Sequence, residues 1–420
     1  MTMRFALMAA LLLGAAPVMA AEVADPFLAR AHAVLKKQPI IDGHNDWPEQ
    51  LRADFGEKWW TVDLTADSRK FDHALHTDIP RLHAGQVGGQ FWSVWVPATV
   101  TGPAAVKATL EQIDIVRGIV KRYPKDFELA ATAADVRRIQ KTGKIASMMG
   151  VEGGSQIDNS LPVLRQFYAL GVRYMTLTHV RHNAWADSAN EAPSKEPLTA
   201  FGKVVVNEMN RIGMLVDISH VSPGTMKAVL AVSKAPVIFS HSSARTVVDH
   251  PRNVPDDVLA MMKANGGVVL VNYAPGYVSR ERMEWEAQRA GVKASFNAPP
   301  YSGLYIGQPE RAAAALAEWD KAHPMPKVTL AQVADHLDHL ARQAGHDHVG
   351  IGGDLDGIDT TPTGLEGVET YPALIAELLR RGWSEADCEK LAGGNILRVL
   401  EAAEKVSASM AGEVPSAARP

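Results

Sequence analysis

The sequence predicts an α/β protein folded as a closed (β/α)8 TIM barrel. Three observations point there: eight short apolar runs recur along the chain, helical stretches separate them, and candidate metal ligands stand at the ends of several different runs. Strands alternating with helices imply a parallel sheet, and eight such units imply closure. An open doubly wound sheet is the alternative, but it does not easily bring groups from so many strand ends around one point.

The runs span residues 39–42, 90–96, 145–151, 173–178, 214–219, 236–240, 267–273 and 348–352. Each is rich in Val, Ile, Met or aromatics and closed by Gly, His, Asp or Pro. Strands buried on both faces read this way. Between them, 103–123 is periodic, 161–170 is amphipathic, and 198–212 carries apolar residues at helical spacing. Pro255-Asp256-Asp257 opens a further helix with its acidic residues where the helix dipole favours them. Residues 330–344, 371–381 and 384–391 also read as helices. Two segments break the rhythm. One is 49–89, with Trp59 and Trp60. The other is 276–327, which mixes a charged helical stretch (280–289) with a Pro/Gly-rich turn (299–307). Loops this long in a compact domain are usually functional.

The ends of the chain read differently from its middle. Met1 to Arg4 is a short positive region, residues 5–18 are apolar, and Val18-Met19-Ala20 offers a cleavage site after Ala20. Residues 1–20 are therefore expected to be a secretory signal peptide, too short in its apolar part to span a bilayer. The domain is expected over 21–404, with its insertion at 276–327. Residues 405–420, rich in Ala, Ser and Pro, are expected to be a loose tail. The single cysteine, Cys388, cannot form an internal disulfide. A net charge of −4 gives no basic surface for nucleic acid. The mature chain is thus expected to be soluble, periplasmic or secreted, with no stable membrane anchor.

The candidate site follows from the strand ends. His44 and Asp46 are two apart, so in extended chain both point the same way. Glu152 directly follows an apolar run. His220 and His241 each end one, 21 residues apart, which is about one α/β unit. Any one of these histidines could be a core residue bonded to a carbonyl. All five groups at neighbouring strand ends point instead to a divalent metal site. Imidazole and carboxylate without cysteine suit zinc, and also manganese or iron. A glutamate can bridge two ions, and a bridged pair activates water.

The chain resembles the membrane dipeptidase (renal dipeptidase) family, peptidase family M19, from about residue 27 to 401. The likeness is carried by Ile41-Asp42-Gly43-His44-Asn45-Asp46, Gly88-Gly89-Gln90-Phe91-Trp92-Ser93, Gly150-Val151-Glu152-Gly153-Gly154, Thr176-Leu177-Thr178-His179, Asp217-Ile218-Ser219-His220, Phe239-Ser240-His241-Ser242-Ser243, Arg252-Asn253-Val254-Pro255 and Gly352-Gly353-Asp354-Leu355-Asp356-Gly357. The resemblance implies a dinuclear zinc dipeptidase that cleaves dipeptides with metal-activated hydroxide. It places His44 and Asp46 on one zinc, His220 and His241 on the other, and Glu152 between them. It assigns His179 to the substrate carbonyl oxygen, Arg252 to the terminal carboxylate, Tyr277 to a substrate contact, and Asp354 to proton transfer.

Rivals accompany these assignments. Arg245 competes with Arg252, His182 (read as solvated) with His179, and Asp356, facing the same way two residues on, with Asp354. His73/His76 and His336/His339 have helical spacing but read as exposed or packing faces. The chain lacks the cysteines of the animal members, so their disulfide-linked dimer and lipid-anchored form are not expected; a non-covalent homodimer stays open. Competing functions are another amidohydrolase chemistry at the same site (β-lactam, lactone or N-acyl amino acid hydrolysis) and a non-catalytic periplasmic binding protein.

Overall fold

A computed structural model describes residues 25–297 and 302–420. The expected signal peptide, 1–20, and part of the expected turn at 299–307 lie outside those residues. Among the described residues, no helix is long and apolar enough to cross a membrane.

Nine parallel strands form one sheet: β1 (Ile40–Asn45), β2 (Val87–Trp95), β3 (Phe127–Leu129), β4 (Ile145–Glu152), β5 (Val172–Thr176), β6 (Leu215–Asp217), β7 (Ile238–Phe239), β8 (Val268–Val271) and β9 (Val349–Ile351). The neighbour order is β2-β1-β9-β8-β7-β6-β5-β4, and β2 pairs with β4 from Gly89↔Ala146 to Trp95↔Glu152, which closes the ring. All eight expected strands are present, and the barrel is closed. Strand β3 was not expected. It pairs only with β4, outside the ring, and three residues are too few to carry a periodic signal.

The strands are buried on both faces because helices cover the outside and side chains fill the inside. β1, β4, β5 and β8 are buried along their whole length. Gly150 decides one feature of the interior. A Cβ there would fall 1.9 Å from the Tyr174 ring. Only glycine lets that ring enter the barrel, where its hydroxyl reaches His44.

The expected helices appear at Pro103–Arg122, Leu161–Ala169, Ala200–Ile212, Asp256–Asn265, Leu330–Ala344 and Tyr371–Arg380. At the C-terminal end the structure departs from expectation. A short helix, Glu385–Glu389, passes through a π turn, Lys390–Gly394, into a helix Asn395–Ser409. This helix runs five residues into the segment expected to be loose. Met410 is buried, and Ser407 Oγ donates to the Arg211 carbonyl at 2.8 Å. Packing extends the helix past the point where composition turns polar.

The long insertion contributes two helices, Arg280–Phe296 and Pro309–Ala322. They are joined by Arg289 to Asp320 at 2.7 Å and by Trp285 beside Trp319. Arg282 Nη2 donates to Thr360 Oγ1 at 2.9 Å, fastening the insertion to the loop after β9.

Candidate metal centre and substrate cavity

The five expected ligands converge at the C-terminal ends of the strands, where barrels of this class carry their sites. His44 Nε2 is 3.2 Å from Asp46 Oδ2 and 3.4 Å from Glu152 Oε2. The other oxygen of Glu152, Oε1, is 3.0 Å from His220 Nε2 and 3.3 Å from His241 Nε2. Glu152 thus lies between two pairs of side chains, one oxygen toward each. All five residues are buried.

Hydrogen bonds fix which nitrogen His44 and His241 offer. Tyr174 OH donates to the Gly43 carbonyl (3.2 Å) and so accepts from His44 Nδ1 (2.7 Å). This leaves His44 Nε2 with a bare lone pair. That atom is buried with no hydrogen-bond partner. Ser240 Oγ donates to Asp217 Oδ2 (2.6 Å) and accepts from His241 Nδ1 (2.7 Å), so His241 Nε2 carries no proton; it lies 2.8 Å from His220 Nε2. Such outer partners fix ligand tautomers in metal sites.

Electrostatics agree with a cation site. Burial disfavours charge on His220 and His241 and holds their pKa values well below the usual imidazole range, which keeps them neutral, as ligands must be. Burial opposes charge on His44 as well, but Tyr174, Glu152 and Asp46 outweigh it and push its pKa well up. Burial would raise Glu152, yet His44, His179, His220 and His241 hold it well below the carboxylate range. This corner concentrates negative charge that calls for a positive partner. Gly357 is part of the same cradle: a Cβ there would meet Asp46 Oδ2 at 2.3 Å and Asp354 Oδ1 at 2.5 Å. The donor set and the orphaned His44 nitrogen fit divalent cations.

Around this cluster a cavity of about 420 Å³ opens, lined in part by His179, Arg252, Tyr277 and Asp354. That volume suits a small ligand. Trp95 Nε1 donates to His179 Nδ1 at 3.2 Å, so His179 carries its proton on Nε2, the atom 3.6 Å from Glu152 Oε1. Burial holds its pKa below the usual range. Arg252 is only 1% exposed. Its Nη2 donates to the His241 carbonyl at 3.2 Å, its Cζ lies 5.5 Å from the Tyr277 ring centroid, and its Nε has no partner. A buried guanidinium with an unused donor is costly unless an anion reaches it.

Asp354 Oδ1 stands 4.0 Å from His44 Nε2, and Oδ2 accepts from Asn272 Nδ2 at 2.9 Å. Burial pushes its pKa up to about 8. Asp46 and Glu152 add to the rise, while His44 and the Asn272 hydrogen bond oppose it.

The rivals separate on geometry. Asp356 does not repeat the direction of Asp354, because both residues have positive φ, 59° and 63°, rather than extended backbone. Asp356 instead accepts from the His76 backbone at 2.6 Å. Arg245 pairs with Asp249 at 2.7 Å. His182 is not simply solvated: its Nδ1 accepts from Ser188 N at 2.8 Å. His336 is buried between Ala244 N and the Val278 carbonyl, and His339 pairs with Asp256. Three of the six left-handed non-glycine residues described (His220, Asp354 and Asp356) lie here, and backbone strain tends to collect at functional sites.

Two aspartates that sequence reading passed over hold the site from behind. Asp42 accepts from His44 N (3.2 Å), Gly353 N (2.9 Å), Gln90 Nε2 (3.1 Å) and Tyr371 OH (2.8 Å). Asp217 accepts from Ser219 N (3.0 Å), Ser240 N (2.9 Å), Ser240 Oγ and Thr176 Oγ1 (both 2.6 Å). A charged residue inside an otherwise apolar run was the available signal.

The family model described as membrane dipeptidase (peptidase family M19) matches residues 28–414. A dipeptidase, verJ, of Clonostachys rogersoniana is 42% identical over 397 residues, covering 92% of this chain and 89% of that protein. The crystal structure of the probable dipeptidase PvdM from Pseudomonas aeruginosa aligns with a TM-score of 0.74 at 26% identity, over 90% of this chain and 99% of that one. A metallo peptidase from Rhodobacter sphaeroides, liganded with a phosphinate mimic of the dipeptide L-Ala-D-Ala, aligns with a TM-score of 0.69 at 26% identity, over 87% and 99%.

Proposed function

This chain belongs to the membrane dipeptidase family, peptidase family M19, and from that premise we propose that it hydrolyses dipeptides at a pair of divalent cations, zinc first among them. It is a hydrolase acting on peptide bonds. The observation that carries the finer reading is Glu152, with one oxygen toward His44 and Asp46 and the other toward His220 and His241. His44 and Asp46 would hold one cation, His220 and His241 the second, and Glu152 would bridge. Bound there, the pair supplies hydroxide from water at neutral pH and polarises a carbonyl.

The chain's own groups do the rest. Arg252, with its unused donor and Tyr277 against its face, takes the terminal carboxylate of the dipeptide. That contact fixes which end of the substrate faces the cations. His179 offers its Nε2 proton to the carbonyl oxygen as negative charge builds there. Asp354, its Oδ1 4.0 Å from His44 Nε2 and its Oδ2 held by Asn272, takes the proton of the attacking water and delivers it to the leaving amine. The phosphinate dipeptide mimic in the Rhodobacter sphaeroides relative supports this substrate class. The apolar segment before Ala20 is read as an export signal, which places the mature chain in a periplasm or outside the cell.

The test is a substrate panel on zinc-loaded protein. Dipeptides are expected to turn over; dipeptide amides, which lack the carboxylate that Arg252 takes, and N-acyl amino acids, which keep the carboxylate but lack the α-ammonium, are expected to be cleaved far more slowly. Equal cleavage of amides removes the Arg252 role, and preference for N-acyl amino acids replaces the dipeptidase reading.

A further inference from the structure

The helix Trp47–Phe55 starts directly after Asp46, its N-cap residue. Asp46, Glu49, Gln50 and Ala53 fall at i, i+3, i+4 and i+7, one stripe of that helix. All four line the cavity that holds Arg252. This stripe forms a wall of the substrate cavity that the proposed reaction does not use beyond Asp46.

Glu49 lies across the barrel from Arg252. Gln112 Nε2 donates to Glu49 Oε2 at 2.6 Å, and Gln112 is itself tied to the end of β2, its Oε1 accepting from Trp95 N at 3.1 Å. Arg252 follows β7. In the ring β2-β1-β9-β8-β7-β6-β5-β4, β1, which leads into the helix of Glu49, and β2, to which Gln112 ties it, stand three and four places from β7, on the far side of a ring of eight. A dipeptide with its carboxylate on Arg252 and its scissile carbonyl over the metal cluster therefore runs its first residue toward Glu49. The α-ammonium is only two bonds from the scissile carbon and stays beside Asp46 and Asp354. Glu49, one helical turn beyond Asp46, meets the tip of the first side chain.

The carboxylate is prepared for a cation. Its Oε1 accepts no hydrogen bond among the described residues. The nearest guanidinium, Arg52, is 3.9 Å from Oε2 and is drawn away to Glu111 at 3.0 Å. Burial pushes the Glu49 pKa up to about 7, against the pull of Arg52 and with the push of Asp46. A carboxylate in this state gains from an incoming positive charge.

We propose that Glu49 forms an acidic subsite for the side chain of the substrate's N-terminal residue, selecting dipeptides that begin with a cationic side chain such as lysine or arginine. The inference rests on the dipeptidase reading above. It is tested by kcat/KM of the zinc-loaded protein for Lys-Ala, Arg-Ala, Ala-Ala and Glu-Ala. Lys-Ala and Arg-Ala are expected to exceed Glu-Ala by about tenfold or more, the worth of one charge-assisted contact. Glu49→Gln should shrink the ratio to near unity, chiefly through KM, and Glu49→Lys should invert it. Impaired folding would lower all substrates alike and cancel in the ratio. Ratios unmoved by both variants, with dipeptides still cleaved, overturn the subsite alone. No cleavage of any dipeptide after zinc is restored overturns the dipeptidase reading and the subsite with it.

Discussion

The half of the site around His44 and the half around His220 are held by the same device, yet they carry opposite chemistry. In each, a buried aspartate a few residues before the histidine stitches neighbouring strand ends together. Asp42 ties β1 to the loop after β9, and Asp217 ties β6 to β5 and β7. Beyond that the halves diverge. The His44 half adds Asp46 and Asp354, and there Tyr174, Glu152 and Asp46 outweigh burial and push the His44 pKa up. The His220 half adds His241 and His179, whose pKa values burial holds down. The scaffold is thus shared and the charge is not. One half gathers carboxylates; the other presents neutral nitrogens and an N–H donor. Glu152 reaches both.

The largest expected effect breaks the division of labour outright. Asp354→Asn should keep the metal complement and lose turnover by about 10²- to 10⁴-fold. Normal turnover in that variant would return proton transfer to some other group. Next come the two stitching aspartates. Asp42→Asn and Asp217→Asn should each weaken metal binding by about 10- to 100-fold, as loss of an outer partner commonly does. Competition with a chelating dye measures this, and two unaffected variants would remove the shared device from the account. If only Asp217→Asn weakens binding, the halves are less alike than the hydrogen bonds indicate.

A separate effect, on stability rather than on turnover or metal binding, concerns acid, to which the imidazole half should be the more sensitive. Behind it, His336 accepts a hydrogen bond from Ala244 N, and burial lowers its pKa to about 4. The unfolded chain binds a proton there near pH 6.5 and the folded chain does not until about pH 4. The linked stability is therefore intact above 6.5 and falls as pH drops toward 4, by about 3 kcal/mol in total. Urea midpoints between pH 7 and 4 should fall, and His336→Gln should flatten that slope. An unchanged slope in the variant would remove His336 from the acid response.

The candidate ligand positions are legible in the sequence because Glu152, His220 and His241 each close an apolar run and His44 and Asp46 follow one, where a polar group has no packing reason to be. The barrel is legible for the related reason that its strands are buried on both faces. What stays hidden depends on tertiary context. Asp42 and Asp217 sit inside or at the edge of the runs, and only the fold reveals how many donors each satisfies. In extended chain Asp354 and Asp356 would face the same way; their left-handed backbone separates them. Glu49 falls in a segment that reads as a loop, and its helix places it in the cavity. The helix through Ser409 outlasts its apolar composition because packing, not propensity, holds it.

The most direct test of the central claim is zinc titration of chelator-stripped protein, followed by dipeptide turnover. Turnover should climb from near zero and level off at two equivalents per chain, and Glu152→Ala should abolish that endpoint. Full turnover by protein that holds essentially no transition metal would contradict the account.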